Sequence, residues 1–183
     1  RQPVERVSWH EVQDFLEELN RRVPGLEAGL PSEAEWEYAC RAGTTTAFSF
    51  GANITPEQVN YDGNHPYAGG KKGLYREKTV PVASLPANAW GLYEMHGNVY
   101  EWCADWYGDY PSTPQTDPHG AVTGVRRVLR GGSWISHGRN VRSASRVYGG
   151  PGVRNFGVGF RLAPGRGQPA EPEREESPAE PAR

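Results

Sequence analysis

Apolar residues at Val12, Phe15, Leu16 and Leu19 recur at the spacing of one helical face, which places a first helix within residues 4–22. Ser8 followed by Glu11 has the spacing of a capping box, and Arg21 and Arg22 sit where a helix dipole favours cations. Pro24-Gly25 ends it. A second helix is expected within residues 30–43: Ser32 caps it, Glu35 closes the box, Trp36, Ala39 and Cys40 share a core face, and Gly43 stops it. Residues 44–86 have little periodicity and read as long loops with brief strands, such as the one at 79–82. Residues 127–130 alternate into a strand, and Gly131-Gly132 follows as a turn or a close backbone approach.

Composition supports a loop-rich domain with an aromatic core. The chain has 183 residues, with 23 Gly and 16 Pro, too many for a helical bundle. Six Trp and nine Tyr supply core area that Leu and Ile do not. Residues 164–183 lack aromatics and are rich in Pro and Glu, so a disordered tail is expected after a domain at 1–163. The chain begins at Arg1, and an upstream segment is expected. No signal peptide and no long apolar run is visible, which favours a cytoplasmic location.

The net charge of −2 gives no global pull toward nucleic acid or membrane, and neither is expected as a partner. The distribution of charge is more informative. Residues 118–163 contain no Asp or Glu but carry Arg126, Arg127, Arg130, Arg139, Arg142, Arg146, Arg154 and Arg161. These form either an anion-binding face or internal pairs with Glu33, Glu35, Glu37, Glu94, Glu101 and Asp105. Internal pairing is the expected case, because Arg forks suit buried carboxylates. The same logic assigns Glu33 and Glu37 to Arg partners rather than to acid–base work. Cys40 and Cys103 sit in apolar contexts and read as buried free thiols rather than a disulfide.

Candidate chemistry falls in two places. Glu94, the carbonyls around Gly97 and Val99, and Glu101 offer a hard cation several oxygens within eight residues, and Ca²⁺ is the expected ion. Asn60 and Asp62 could also offer oxygens, but in a Gly-rich loop they read as turn formers. His96 reads as a loop or core imidazole, since no second His or Cys stands at ligand spacing. Ser133, Ser136 and His137 lie close together, but no oriented acid completes a triad.

Three motifs in order carry a resemblance: LPSEAEWEYACRAG at 30–43, WGLYEMHGNVYEWCADWY at 90–107, and RVLRGGSW…RSASR…GFRLA across 127–163. Together they resemble the formylglycine-generating enzyme, or sulfatase-modifying factor, family. The resemblance implies an α+β domain of the C-type-lectin-like type, with two helices and a mixed, mostly antiparallel sheet. It also implies that the family's N-terminal portion lies upstream of this chain. Active members oxidise a substrate cysteine to formylglycine with O₂ and a copper ion held by two cysteines shortly after RGGSW. Here that region reads Ile135-Ser136-His137-Gly138-Arg139-Asn140-Val141, and neither cysteine is present. Ser136 stands at the first of them, while Ser133 matches the family's active-site serine. A hydroxyl cannot replace a soft thiolate at Cu(I), so no copper is expected. One family calcium site maps onto Glu94, Gly97, Val99 and Glu101, with a carboxylate in place of an amide at Glu94. The other matches at Asn60 and Tyr61, but Leu74 stands where an Asp is expected.

The same frame is similar to the variable proteins of diversity-generating retroelements, in which a C-terminal stretch is hypermutated at Asn-type codons. Randomising the first two bases of AAC or AAT cannot yield Lys, Glu, Gln, Met or Trp, and residues 135–159 contain none of these. The expected ligand-contacting positions are Ile135, Ser136, His137, Ser145, Val147, Tyr148, Val153, Phe156 and Gly157, with Arg139 and Arg154 as forked donors. The first functional reading is a monomeric binding module for a protein or other macromolecular ligand. The second is an enzyme that oxidises a thiol substrate, either of the formylglycine-generating kind or like the related non-haem iron sulfoxide synthases.

Overall fold

Both helices form as their caps dictate. In the computed structural model, which describes residues 1–164, α1 spans Trp9–Arg22 and α2 spans Glu33–Arg41. Ser8 and Glu11 close one capping box, and Ser32 and Glu35 close the other. α2 ends one residue earlier than its glycine suggests, with Ala42 in the left-handed region and Gly43 continuing the turn. Residues 79–82 form no strand. The expected tail lies outside the described residues beyond Pro164, which itself belongs to the folded domain through its last strand.

The strands are β1 (Ala28–Gly29), β2 (Tyr100–Trp106), β3 (Arg127–Arg130), β4 (Arg146–Gly149), β5 (Val158–Gly159) and β6 (Ala163–Pro164). Four of them form a sheet in the order β4-β3-β2-β5, in which only the β2–β5 pair is parallel. β1 and β6 pair separately and antiparallel. The result is an α+β fold with a mixed sheet.

Alternation along β2 and β3 sorts the core into two layers. Trp102 and Leu129 face α1, where they pack with Trp9, Val12, Leu16, Leu30 and Val158. Cys103 and Val128 face α2 and pack with Trp36, Cys40 and Met95. A third cluster, made of Phe48, Ile54, Val59, Tyr61 and Val141, lies under the long loops. Every residue of β3 is buried, including its two arginines. Arg127 is held between the rings of Trp9 and Trp106, at 3.7 and 3.4 Å from their centroids, and Arg130 lies over Trp36. Phe15, expected in the core face, is largely exposed and meets the ring of Phe160 at the rim.

Candidate functional site

The arginine-rich segment mostly pairs inward. Arg130 donates to Glu33, Glu37 and the Ser143 carbonyl, and Arg146 makes a forked pair with Glu33 at 2.8 and 2.6 Å. Arg161 makes a second fork, to Glu101. Arg154, expected to face a ligand, instead meets Glu11 of α1 at 2.8 Å. The carboxylates at 33 and 37 are therefore anchors for Arg, as the distribution of charge along the chain suggested.

This anchored strand leads into the turn that carries the site. Gly131 and Gly132 take φ of +89° and +78°, and at Gly132 a side chain would run into Val141. The backbone then folds on itself: Ser136 Oγ accepts the Ser133 N–H, and Trp134 donates its N–H to the Asn98 carbonyl. Two further backbone bonds zip this turn to a distant loop, Asp62 N–H to Ser136 O at 3.0 Å and Gly138 N–H to His65 O at 2.9 Å.

The nine expected contact residues do not form one surface. Ser136 is buried, with its hydroxyl near Ser133 Oγ and Tyr100 Oη, so it is packing rather than display. Gly157 is also buried. It adopts φ +68° against Ser133 and donates its N–H to Glu5, which makes it a hinge of the frame. Ser145 Oγ is turned back to the Arg139 carbonyl. Ile135 and Phe156 are exposed at 44% and 52%, and Phe156 leans on Trp134, which also stacks with Tyr75. His137 lies beside this group and stacks on His65 with centroids 4.0 Å apart. Val153 is exposed on the turn that follows β4. On the edge strand β4, Val147 and Tyr148 point to opposite faces. Tyr148 joins Tyr107 and Arg126 in a separate cluster. Sequence reasoning missed Tyr75 and His65 as neighbours of this stretch, because their proximity depends on the long loops.

The calcium expectation meets a different arrangement. Glu94 directs its carboxylate at the N–H groups of Ala83, Ser84 and Leu85. Glu101 accepts from Trp36 Nε1 at 2.6 Å and from both prongs of Arg161. Gly97 backs onto Asn60 in a parallel bridge, and the Val99 side chain is buried. The cation beside Glu101 is thus a guanidinium, and the four residues do not fit an oxygen cage. A Ca²⁺ ion there would have to displace Arg161 and detach Glu94 from the 83–85 turn. At the other family position the Asn60 side-chain oxygen is buried without a partner, but Leu74 is exposed and supplies no side-chain oxygen.

The two thiols are sealed off from this surface. Burial pushes Cys40 up to about 12 and holds Cys103 well above the usual thiol range. Burial also holds His96 down to about 4, although its Nδ1 lies 2.7 Å from the Val141 carbonyl. His96 is a core imidazole, as expected. Its depressed pKa means that the unfolded chain binds a proton the native chain refuses between about 6.5 and about 4. This contribution to stability is therefore lost as pH falls through that window. Burial raises Asp105 to about 6, which acts in the opposite sense over much of the same range. An NMR titration should find the His96 ring neutral until the pH approaches about 4. A midpoint near the ordinary value would mean the ring is solvated.

The sulfatase-modifying factor enzyme 1-like domain matches residues 1–165. The chain belongs to this family. Among its relatives, a formylglycine-generating enzyme of Streptomyces coelicolor is 36% identical over 171 residues, covering 88% of this chain and 52% of that protein. Serine/threonine-protein kinase pkn1 of Chlamydia caviae is 38% identical over 170 residues, covering 90% of this chain and 24% of the kinase. The chain thus spans about half or less of the length of these curated relatives. Among solved structures, Treponema denticola variable protein 1 is similar with a TM-score of 0.73 and 30% identity, over 88% of this chain and 70% of that one. Among the described residues no helix is long and apolar enough to cross a membrane.

Proposed function

We propose that this member of the family is a ligand-binding module whose contact surface is the group around Trp134: Tyr75, Ile135, His137 and Phe156. The observation that carries this reading is the exchange at one position. Where the resemblance puts a copper thiolate in the family's active members, this chain has the buried hydroxyl of Ser136, flanked by the exposed Ile135 and the half-buried His137. Rigid aromatics on a backbone-zipped frame supply contact area at low entropic cost. The likeness to a variable protein supports a diversified origin for Ile135, His137, Val147, Tyr148, Val153 and Phe156. Ser136, Ser145 and Gly157 drop out of the contact set because their roles are structural.

The alternative of the formylglycine-generating kind needs a soft metal ligand or an accessible thiolate. The chain's two cysteines are buried and held in the thiol form. The test is incubation with copper, O₂ and a sulfatase-type cysteine peptide. No loss of peptide thiol is expected, and turnover would overturn the binding reading. A diversified origin further requires a near-copy of the 135–157 coding stretch, with Asn-type codons, beside a reverse transcriptase gene. Its absence would leave a binding surface of fixed sequence.

A further inference from the structure

Asp62, His65 and His137 bring one ligand atom each to within 4.8 Å of one another. The first two come from the loop after Asn60 and the third from the turn after RGGSW, so the chain brings them together only by folding. We propose that these three side chains form a binding site for a divalent transition-metal ion of the Zn²⁺ class.

The two loops are joined by backbone bonds. Asp62 donates its N–H to Ser136 O, and His65 O accepts from Gly138, so both flanks of His137 are fixed to the 62–65 turn. Within that turn His65 N–H bonds Asp62 O, and Asn64 N–H bonds Asp62 Oδ1. Gly138 approaches so closely that a side chain there would run into the Tyr67 N–H. The ligand atoms thus sit on rigid backbone, as a preformed metal site requires.

The side-chain geometry fits an ion. Asp62 Oδ2 and His65 Nδ1 are 2.8 Å apart and share a proton. Neighbouring ligand atoms around a metal bonded at about 2.0–2.2 Å stand at a similar separation, so an ion can take that proton's place. His137 lies parallel to His65, with 12° between the ring planes. Its ligand nitrogen lies within 4.8 Å of the other two ligand atoms, and turning the ring out of the stack would aim its in-plane lone pair at the ion. Asp62 is buried at 7% exposure, which keeps its carboxylate from being fully solvated.

The donor set selects the class of ion. Two imidazoles and one carboxylate are borderline ligands suited to Zn²⁺, Co²⁺, Ni²⁺ or Fe²⁺, and too rich in nitrogen for Ca²⁺. Three protein ligands also leave at least one coordination position open. His65 is exposed, so that position is accessible to solvent. The site stands whether or not the neighbouring surface binds a macromolecule.

The test is calorimetric titration of the chelator-stripped full chain with Zn²⁺, repeated with Co²⁺ followed by visible absorption. One ion per chain is expected, with a Co²⁺ spectrum of low coordination number. His65→Ala, His137→Ala and Asp62→Asn should each weaken binding by about tenfold or more. His119→Ala, at an exposed position away from the cluster, should bind as the parent does. The three site variants should keep the parent's melting temperature without metal, because the bonds that hold the two loops together are backbone bonds. No binding by the parent chain would overturn the proposal. So would unchanged binding by a His65→Ala/His137→Ala double variant, or loss of binding in His119→Ala.

Discussion

Replacing Arg130 with Ala should destabilise the protein by about 3–5 kcal/mol, read as a lower urea midpoint with little change in slope. The side chain is fully buried and lies over Trp36, where it reaches Glu33, Glu37 and the Ser143 carbonyl at once. Its removal leaves Glu37 with Arg41, and Glu33 with Arg146 and the Tyr110 hydroxyl, both beside a cavity. The cost arises from stranded charge as much as from lost contacts. Adding Glu37→Gln to Arg130→Ala should therefore recover part of the loss, since it removes one unbalanced carboxylate. A single variant that loses less than about 1 kcal/mol would mean that the network contributes no more than an exposed ion pair.

A loss of similar size, about 3–5 kcal/mol, is expected for Trp102→Ala in the other layer of the core. Trp102 is buried in the middle of β2, contacts the α1 cluster, and donates its indole N–H to the Val7 carbonyl at 3.0 Å. Its ring also lies against Gly149 of β4, where a side chain could not fit without displacing it. Truncation would open a cavity and leave the Val7 carbonyl without this donor. Trp102→Phe, which keeps most of the volume, should lose markedly less. Equal losses for the two variants in thermal or urea melts would show that the hydrogen bond dominates.

Much of this architecture was legible in the chain. The helices announced themselves because a capping box and an apolar stripe lie within a few residues of each other, as at Ser8–Leu19. The Arg–carboxylate pairing was visible as a charge imbalance, because a segment with eight Arg and no acid must find its partners elsewhere. Long-range placement was hidden. β5 has two residues and shows no alternation, so its parallel pairing with β2 left no trace in the pattern. Ser136 and Gly157 looked like display positions because a loop sequence does not reveal which side chains turn inward. The Asp62–His65–His137 group was hidden for the same reason. Asp62 in a Gly-rich loop signals a turn, and only the backbone bonds to Ser136 and Gly138 bring it to His137. The calcium reading had no view of a competitor the motif does not contain: Arg161 lies well beyond the 94–101 run and pairs with Glu101.

The pairing of β5 has a consequence for the order of assembly. Arg6 donates its N–H to Val158 O, Gly159 abuts the Val4 carbonyl, and the Tyr100 and Gly157 backbones are joined. The earliest described residues and the centre of the sheet thus wait for a strand near residue 158. On the ribosome, α1 can form as it emerges, but its apolar layer has no Val158 to close against until nearly the whole domain is synthesised. The exposed 135–157 stretch emerges just before that closing strand. Changes to its outward side chains therefore fall on a segment that is itself completed late, and the contacts that lock the domain come from the residues that follow it.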